Sequence, residues 1–370
     1  MKIGRGPATV IGVFAAREEV VSQATLPAAG SETLREKELR RKPYGISWGF
    51  FVFEGWRRVP RNTSQMTRAA VGLLLGVAFA FSAQVRAQSS PAPGLREVTD
   101  DTGRIVKLPQ AVRRIVSLAP SSTETVYALG LQDRLVGDTD YCDYPADAAK
   151  KHKVGGAINP NMEEIAALKP DVVLVVKSLN RLETVRALEQ LGISVYATDP
   201  HNVNDVLASM KKLSEVLGTE KPGNALDQKL EERLKIVREK LHGVPPKSVL
   251  FVVWTDPLQS VGKKTFIADV LDRAGATSVV ESKQDWPQFS LEEAVRLQPE
   301  YLVFASSHSE TVRNDVEALA LKPGWSAMDA VKKRKIAVVS DAINRPGPRI
   351  VDAVEELARQ LHPEVFAEKN

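Results

Sequence analysis

From residue 114 onward, short apolar runs alternate with longer amphipathic stretches. The runs at 114–118, 135–137, 171–176 and 194–197 are rich in Val, Ile and Leu. They are too short for helices and predict buried strands. Between them, 123–129, 161–168, 181–191 and 202–217 carry helical spacing, and Gly130, Gly192 and Gly218 stop three of these helices. Strands alternating with helices predict a parallel sheet with helices on both faces. The alternation breaks at 222–242, where Leu226, Leu230, Leu234, Val237 and Leu241 recur every three or four residues among Lys, Arg, Glu, Asp and Gln. That spacing predicts one long amphipathic helix, ended by Gly243 and Pro245-Pro246. Beyond it, strands at 249–253, 301–304 and 336–339 accompany helices at 266–274, 291–297 and 350–361. The predicted fold is α/β: two Rossmann-like lobes, 113–219 and 246–370, joined by a single long rigid helix within 220–245.

Ahead of the lobes, 88–112 reads as a Ser/Pro/Gly tether followed by a small hairpin about Asp100-Asp101-Thr102-Gly103. Residues 66–87 have the anatomy of a secretory signal peptide. Arg68 supplies the positive start, 69–83 the apolar run, and Val85-Arg86-Ala87 the small cleavage-site residues before Gln88. The run is shorter than the ~20 residues of a spanning helix, although a membrane anchor is the alternative. No cysteine follows it, which predicts a free periplasmic protein rather than a lipoprotein. Residues 1–65 carry basic clusters without a sustained period. They read as a non-native extension ahead of a true start at Met66, or as a disordered one.

The two lobes share a signature. Asn161-Met-Glu-Glu-Ile-Ala-Ala-Leu-Lys-Pro-Asp171 and Ser290-Leu-Glu-Glu-Ala-Val-Arg-Leu-Gln-Pro-Glu300 each precede an apolar strand. Identities at Glu163/Glu292, Glu164/Glu293, Leu168/Leu297 and Pro170/Pro299 fall at one constant offset, which predicts duplicated lobes. Asn161 and Ser290 read as N-caps, and Glu164 and Glu293 complete capping boxes. Glu163 and Glu292 are not needed for the box. Either they only stabilise helix ends through the dipole, or they form a symmetric pair of surface carboxylates facing a two-fold partner.

Composition is that of an ordinary globular chain: of 370 residues, 43% are hydrophobic and 26% charged, with a net charge of +4. Basic and acidic residues are mixed, which argues against nucleic-acid binding. The single cysteine, Cys142, excludes an internal disulfide and reads as a small packing residue. The five histidines lack metal-ligand spacing and read as surface residues. No phosphate loop, nucleophile elbow, zinc-protease or dinucleotide motif is present. No cofactor, metal site or catalytic residue is therefore expected, and a periplasmic enzyme or chelatase is the less favoured class.

Three loops remain: 141–145 (YCDYP), 285–290 (DWPQFS) and 341–349 (DAINRPGPR). The first and third follow strands, where ligands sit in open α/β sheets. Aromatic faces with an Asp and an Arg suit a large, flat, polar-edged ligand. The alternative is that Tyr144 and Trp286 plug lobe cores.

In this order and spacing, RIVSLAPSSTE, DYCDYP, NMEEIAALKPD, LGISV, DWPQFS and SDAINRPGPRI resemble the periplasmic cobalamin (vitamin B12)-binding proteins of ATP-binding-cassette importers, within the iron-siderophore/cobalamin binding-protein superfamily. The resemblance covers roughly 113–361. It implies two lobes with a ligand cleft between them, delivery of a corrinoid to a membrane permease dimer, no catalysis, and a monomer. Tyr141, Trp286, Asp341 and Arg345 match cleft residues, and Glu163 and Glu292 match carboxylates that dock on the permease. The chain departs from the pattern where two cleft tryptophans are replaced by the Gly155-Gly156-Ala157 stretch and Val176, and where Asn344 replaces an acid. A cobinamide, haem or ferric siderophore is the alternative ligand.

Overall fold

Two all-parallel, four-stranded sheets organise residues 94–305 and 318–367, the residues described by a computed structural model. All of them fall in one compact unit. The signal segment, residues 1–65 and most of the tether lie outside the described residues. The described part begins with a hairpin, β1 (Leu95–Thr99) and β2 (Ile105–Pro109). Asp100 shapes its turn by accepting hydrogen bonds from the Thr102 and Arg104 backbone N–H groups, each at 3.0 Å.

The first sheet contains β3 (Ile115–Ser117), β4 (Leu135–Asp138), β5 (Val172–Val176) and β6 (Val195–Thr198). Helices α1 (Pro120–Ala128), α2 (Met162–Ala167) and α3 (Leu182–Gln190) connect them, and α4 (Val203–Val216) follows. Every residue of β5 is buried, as a strand covered on both faces should be. Helix α5 (Glu220–Lys240) then leads to the second sheet. That sheet contains β7 (Lys247–Phe251), β10 (Ala276–Ser278), β11 (Tyr301–Ala305) and β12 (Ile336–Val339). A small hairpin, β8 (Trp254–Thr255) and β9 (Leu258–Gln259), branches off after β7. Helices α6 (Phe266–Arg273), α7 (Leu291–Leu297), α8 (Asp329–Lys332) and α9 (Ile350–Leu361) complete the lobe.

The sheet orders are β4-β3-β5-β6 and β10-β7-β11-β12. With the β8-β9 hairpin set aside, both run second-first-third-fourth, so the duplication extends from the signature to the topology. The signature itself repeats in detail. Asn161 accepts from the Glu163 and Glu164 N–H groups, and Ser290 accepts from that of Glu293. Lys169 and Gln298, one residue before each proline, both adopt φ 46°, a left-handed helix stop. The expected reciprocal half of the capping boxes is not formed. Glu164 pairs with His152 at 2.8 Å, Glu293 pairs with Arg296, and the Asn161 N–H donates to the Val154 carbonyl. Both glutamate side chains are engaged by these other partners.

Helix α5 binds the two halves together. At Gly223 a Cβ would lie 1.9 Å from Ser214 Oγ, so α4 and α5 touch where only glycine fits. Leu226 packs against the apolar clusters of both lobes. One continuous cluster contains Val206, Leu207 and Met210 of α4, Leu230 and Leu234 of α5, Phe251 of β7 and Leu357 of α9. Helix α4 is thus part of the second lobe's core. Arg233 of α5 also donates to Asp352 at 2.6 Å and to Glu355 at 2.9 Å, both on α9.

Among the described residues one histidine departs from expectation, and His308 lies outside them. His362 is fully buried, its Nε2 lying 2.9 Å from the Gly275 carbonyl oxygen. It ends α9 next to buried Leu361, and packing of that helix end fixes it inside.

Candidate functional site

The carboxyl ends of both sheets carry the loops singled out by the sequence. After β4 comes Thr139–Asp140 and the Tyr141–Pro145 segment. After β12 comes the segment that holds Asp341, Arg345 and Arg349. The Trp286 loop also lies at a carboxyl end, because it follows β10. That strand went unread: Ala276-Thr277-Ser278 has one buried residue and gives no period.

The aromatic rings here are open to solvent. Tyr141 and Tyr144 are each 47% exposed, Trp254 45% and Trp286 40%. Neither Tyr144 nor Trp286 plugs a core. Tyr141 Cε2 lies 3.8 Å from where a Cβ of Gly156 would stand, so the glycine stretch leaves room beside that ring. The Trp286 loop is strapped to the β8-β9 hairpin: Gln259 Nε2 donates to the Trp286 carbonyl at 3.2 Å, and the Ser260 N–H donates to that of Pro287 at 3.1 Å. This places a second exposed tryptophan, Trp254, on the neighbouring segment. Trp254 was not singled out in the sequence, where a two-residue strand leaves no pattern.

A lysine holds the tyrosine loop in shape. Lys153 Nζ donates to Asp138 Oδ1 at 2.8 Å and to the carbonyls of Thr139, Cys142 and Ala148. Burial pushes the Asp138 carboxyl up to about 6 despite that ammonium. Its Oδ2 has no hydrogen-bond partner.

The structure brings Asp341 and Arg345 together as an ion pair, Arg345 Nε lying 2.8 Å from Asp341 Oδ2. It does not leave Arg345 open to a ligand, because the side chain is only 12% exposed. Arg345 Nη1 reaches across to the first lobe, to Asp143 at 2.6 Å and Glu124 at 3.1 Å. Arg349 completes the cluster, giving Glu124 two bonds, from Nε at 2.9 Å and Nη2 at 2.7 Å. Its guanidinium carbon lies 3.9 Å from the Tyr144 ring centroid, a cation–π stack. Burial opposes ionisation of Asp143, but the Arg345 hydrogen bond and charge outweigh it and hold the carboxyl below its usual range. Burial also opposes the charge on both arginines, and the carboxylates raise their affinity for the proton above the usual arginine range. The lobes touch beside this cluster: a Cβ on Gly347 would lie 3.1 Å from the Ser121 backbone oxygen. Glu124, Asp143 and Arg349 were missed as site residues. Each lies inside a stretch that the sequence did single out, Glu124 at the end of RIVSLAPSSTE, Asp143 in DYCDYP and Arg349 in SDAINRPGPRI, but nothing in those stretches showed that the three meet.

Two cavities among the described residues lack this chemistry. A void of about 10 Å³ lies beneath α1 among Ser121, Thr125, Met210 and Pro346. A depression of about 640 Å³ is lined by His201, Lys263, Lys264, Thr265 and Asp269 among others and has no Phe, Tyr or Trp, so it offers little apolar face to a broad flat ligand. Glu163 and Glu292 stand elsewhere, in the first turns of α2 and α7. Both are exposed, and among the described residues neither has an ion-pair partner, in contrast to Glu164 and Glu293.

Comparison with known proteins agrees with this architecture. The chain is 33% identical over 279 residues to an uncharacterised ABC transporter substrate-binding lipoprotein, YvrC, of Bacillus subtilis, covering 73% of this chain and 87% of that one. A solved vitamin B12-binding protein, BtuF of Vibrio cholerae, superposes with a TM-score of 0.60 at 25% identity, covering 69% of this chain and 99% of that one. A haem-binding protein, BhuT, solved with two haems, superposes with a TM-score of 0.62 at 26% identity, covering 68% and 98%. Residues 115–342, well over half of the chain, match the periplasmic binding protein family, and the chain belongs to that family.

Proposed function

We propose that this protein is the exported substrate-binding component of an ABC importer, that it takes cobalamin or a related corrinoid between its lobes, and that it catalyses no reaction. The observation that carries the ligand assignment is the pairing of exposed aromatic rings with an arginine cluster already matched by carboxylates. A corrin has a broad apolar face, which rings such as Tyr141 and Trp286 cover well, and a rim of neutral amides. A neutral rim needs hydrogen-bonding groups such as Asp341 and no unpaired guanidinium. Catecholate or carboxylate ligands ask for available arginines, whereas Arg345 and Arg349 are engaged by Glu124, Asp143 and Asp341.

Glu163 and Glu292 act in docking, one on each lobe, against a two-fold permease. Their exposure and their lack of ion-pair partners among the described residues support this role, as do their matched places in the repeat. Haem is the second reading, favoured by the likeness to BhuT. Calorimetry with cyanocobalamin, cobinamide, haem and a ferric siderophore separates the two. Heat from the corrinoids is expected. Heat from haem or siderophore alone, with none from either corrinoid, overturns the assignment.

A further inference from the structure

We propose that Glu124 sets the charge selectivity of the cleft: as the buried counter-ion of Arg345 and Arg349, it withholds both guanidinium groups from anionic ligands. The inference rests on the reading above for where the ligand sits, and it deepens that reading by assigning the residue that decides ligand charge.

Glu124 belongs to α1 of the first lobe and its side chain is 2% exposed. A carboxylate buried to that degree persists only when paired, and both of its partners come from the segment after β12 in the second lobe. The pairing with Arg349 uses two parallel bonds, Nε to Oε2 and Nη2 to Oε1. That is the same planar fork a ligand carboxylate would use, so the two compete for one donor set. Arg345 is bound on Nη1 by Glu124 and Asp143 and on Nε by Asp341. Three carboxylates thus face two guanidinium groups, and the cluster carries one excess negative charge. Arg349 also stacks on Tyr144, which connects the charge balance directly to an exposed ring of the cleft. An amide-rimmed or cationic ligand meets no penalty here. A ligand bearing carboxylates meets a negative cluster and no available fork.

The test compares the wild-type protein with Glu124→Gln, Glu124→Asp and Asp143→Asn. The probes are haem, which has two carboxylates, and cyanocobalamin, which has a neutral amide rim. Affinities are read by absorbance titration at two salt concentrations. Removing the buried charge should shift the haem-to-cobalamin affinity ratio toward haem by about tenfold or more, with a smaller shift at the higher salt. Asp143→Asn, at a 67% exposed side chain, should move the ratio the same way by less, and it carries the test if Glu124→Gln does not fold. Glu124→Asp, which retains the charge, should keep the ratio near that of the wild type. A merely structural role would weaken both ligands alike, and an unchanged ratio in Glu124→Gln and Asp143→Asn overturns the proposal. If the wild type ignores cyanocobalamin, the corrinoid reading fails while this test stands on haem alone: a gain in haem affinity in the variants supports it, and no gain overturns it.

Discussion

Truncating Trp286 to alanine should weaken corrinoid binding by about 70-fold without unfolding the loop that carries it. A tryptophan side chain presents up to about 250 Å². With 40% of the residue exposed, about 100 Å² is open for a ligand to cover. At about 25 cal/mol per Å², covering it is worth about 2.5 kcal/mol, or about 70-fold in Kd. Area converts poorly into absolute affinity because association itself is costly, but that cost cancels between variants of one protein. The loop should survive because its bonds are made by the backbone. The Gly262 N–H donates to the Asp285 carbonyl at 3.0 Å, that of Ser260 to Pro287 at 3.1 Å, and that of Phe289 to Leu258 at 2.9 Å. Trp286→Phe retains a ring and should lose less. Calorimetry with cyanocobalamin, run beside a thermal melt, reads both quantities. A Kd for Trp286→Ala within about twofold of wild type would refute the reasoning, and so would an affinity loss accompanied by collapse of the melting temperature.

Reversing both docking carboxylates, Glu163→Lys with Glu292→Lys, should abolish uptake while ligand affinity stays near wild type, because like charges at an interface cost several kcal/mol. Normal binding of that double variant to its transporter sinks the docking role. Asp138 makes a pH-dependent contribution whose sign follows from its raised value of about 6 against 3.8 unfolded. Between those pH values the folded chain takes up a proton that the unfolded chain does not, so this group adds stability as pH falls, by up to about 1.4 kcal/mol per pH unit. Asp138→Asn should remove that component from a stability-against-pH series between pH 4 and 6, and an unchanged slope refutes it. A chain begun at Met66 should be exported and cut near Gln88, as read by N-terminal sequencing; retention of that product in the cytoplasm refutes the signal.

The readable parts of this fold were those written in local chemistry. The repeat was legible because an N-cap, a first-turn glutamate and a terminal proline all lie within one short segment, and topology then followed it. Helix α5 was legible because its buried stripe recurs along a single element. What stayed hidden depended on partners far along the chain. Glu124 lies 221 residues from Arg345, and nothing near it indicates a guanidinium. Glu164 and Glu293 fitted a capping box by spacing, but His152 and Arg296 take their side chains. His362 looked like one more surface histidine until α9 packed it against Gly275. Tyr141 and Trp286 were legible as aromatic residues in loops, whereas Trp254 needed the strap between Gln259 and the Trp286 loop to come into view.

The packing also decides how the protein can move. A wide hinge opening would have to separate α4 from the second lobe, since Val203, Val206, Leu207 and Met210 are buried in a core they share with β7 and α9. Exposing four such side chains costs about 6–12 kcal/mol at about 1.5–3 kcal/mol each. That is comparable with the entire stability of an ordinary domain, about 5–15 kcal/mol, so a wide hinge would rival unfolding. The Glu124 cluster and the close approach of Gly347 to Ser121 oppose separation further. The segments that could rearrange without that cost are those that project beyond the sheets: the Tyr141 loop braced by Lys153, and the Trp286 loop strapped to the β8-β9 hairpin. A ligand bound as proposed above would meet surfaces already in place, the aromatic faces of the loops and the carboxylate-matched arginines at the lobe junction.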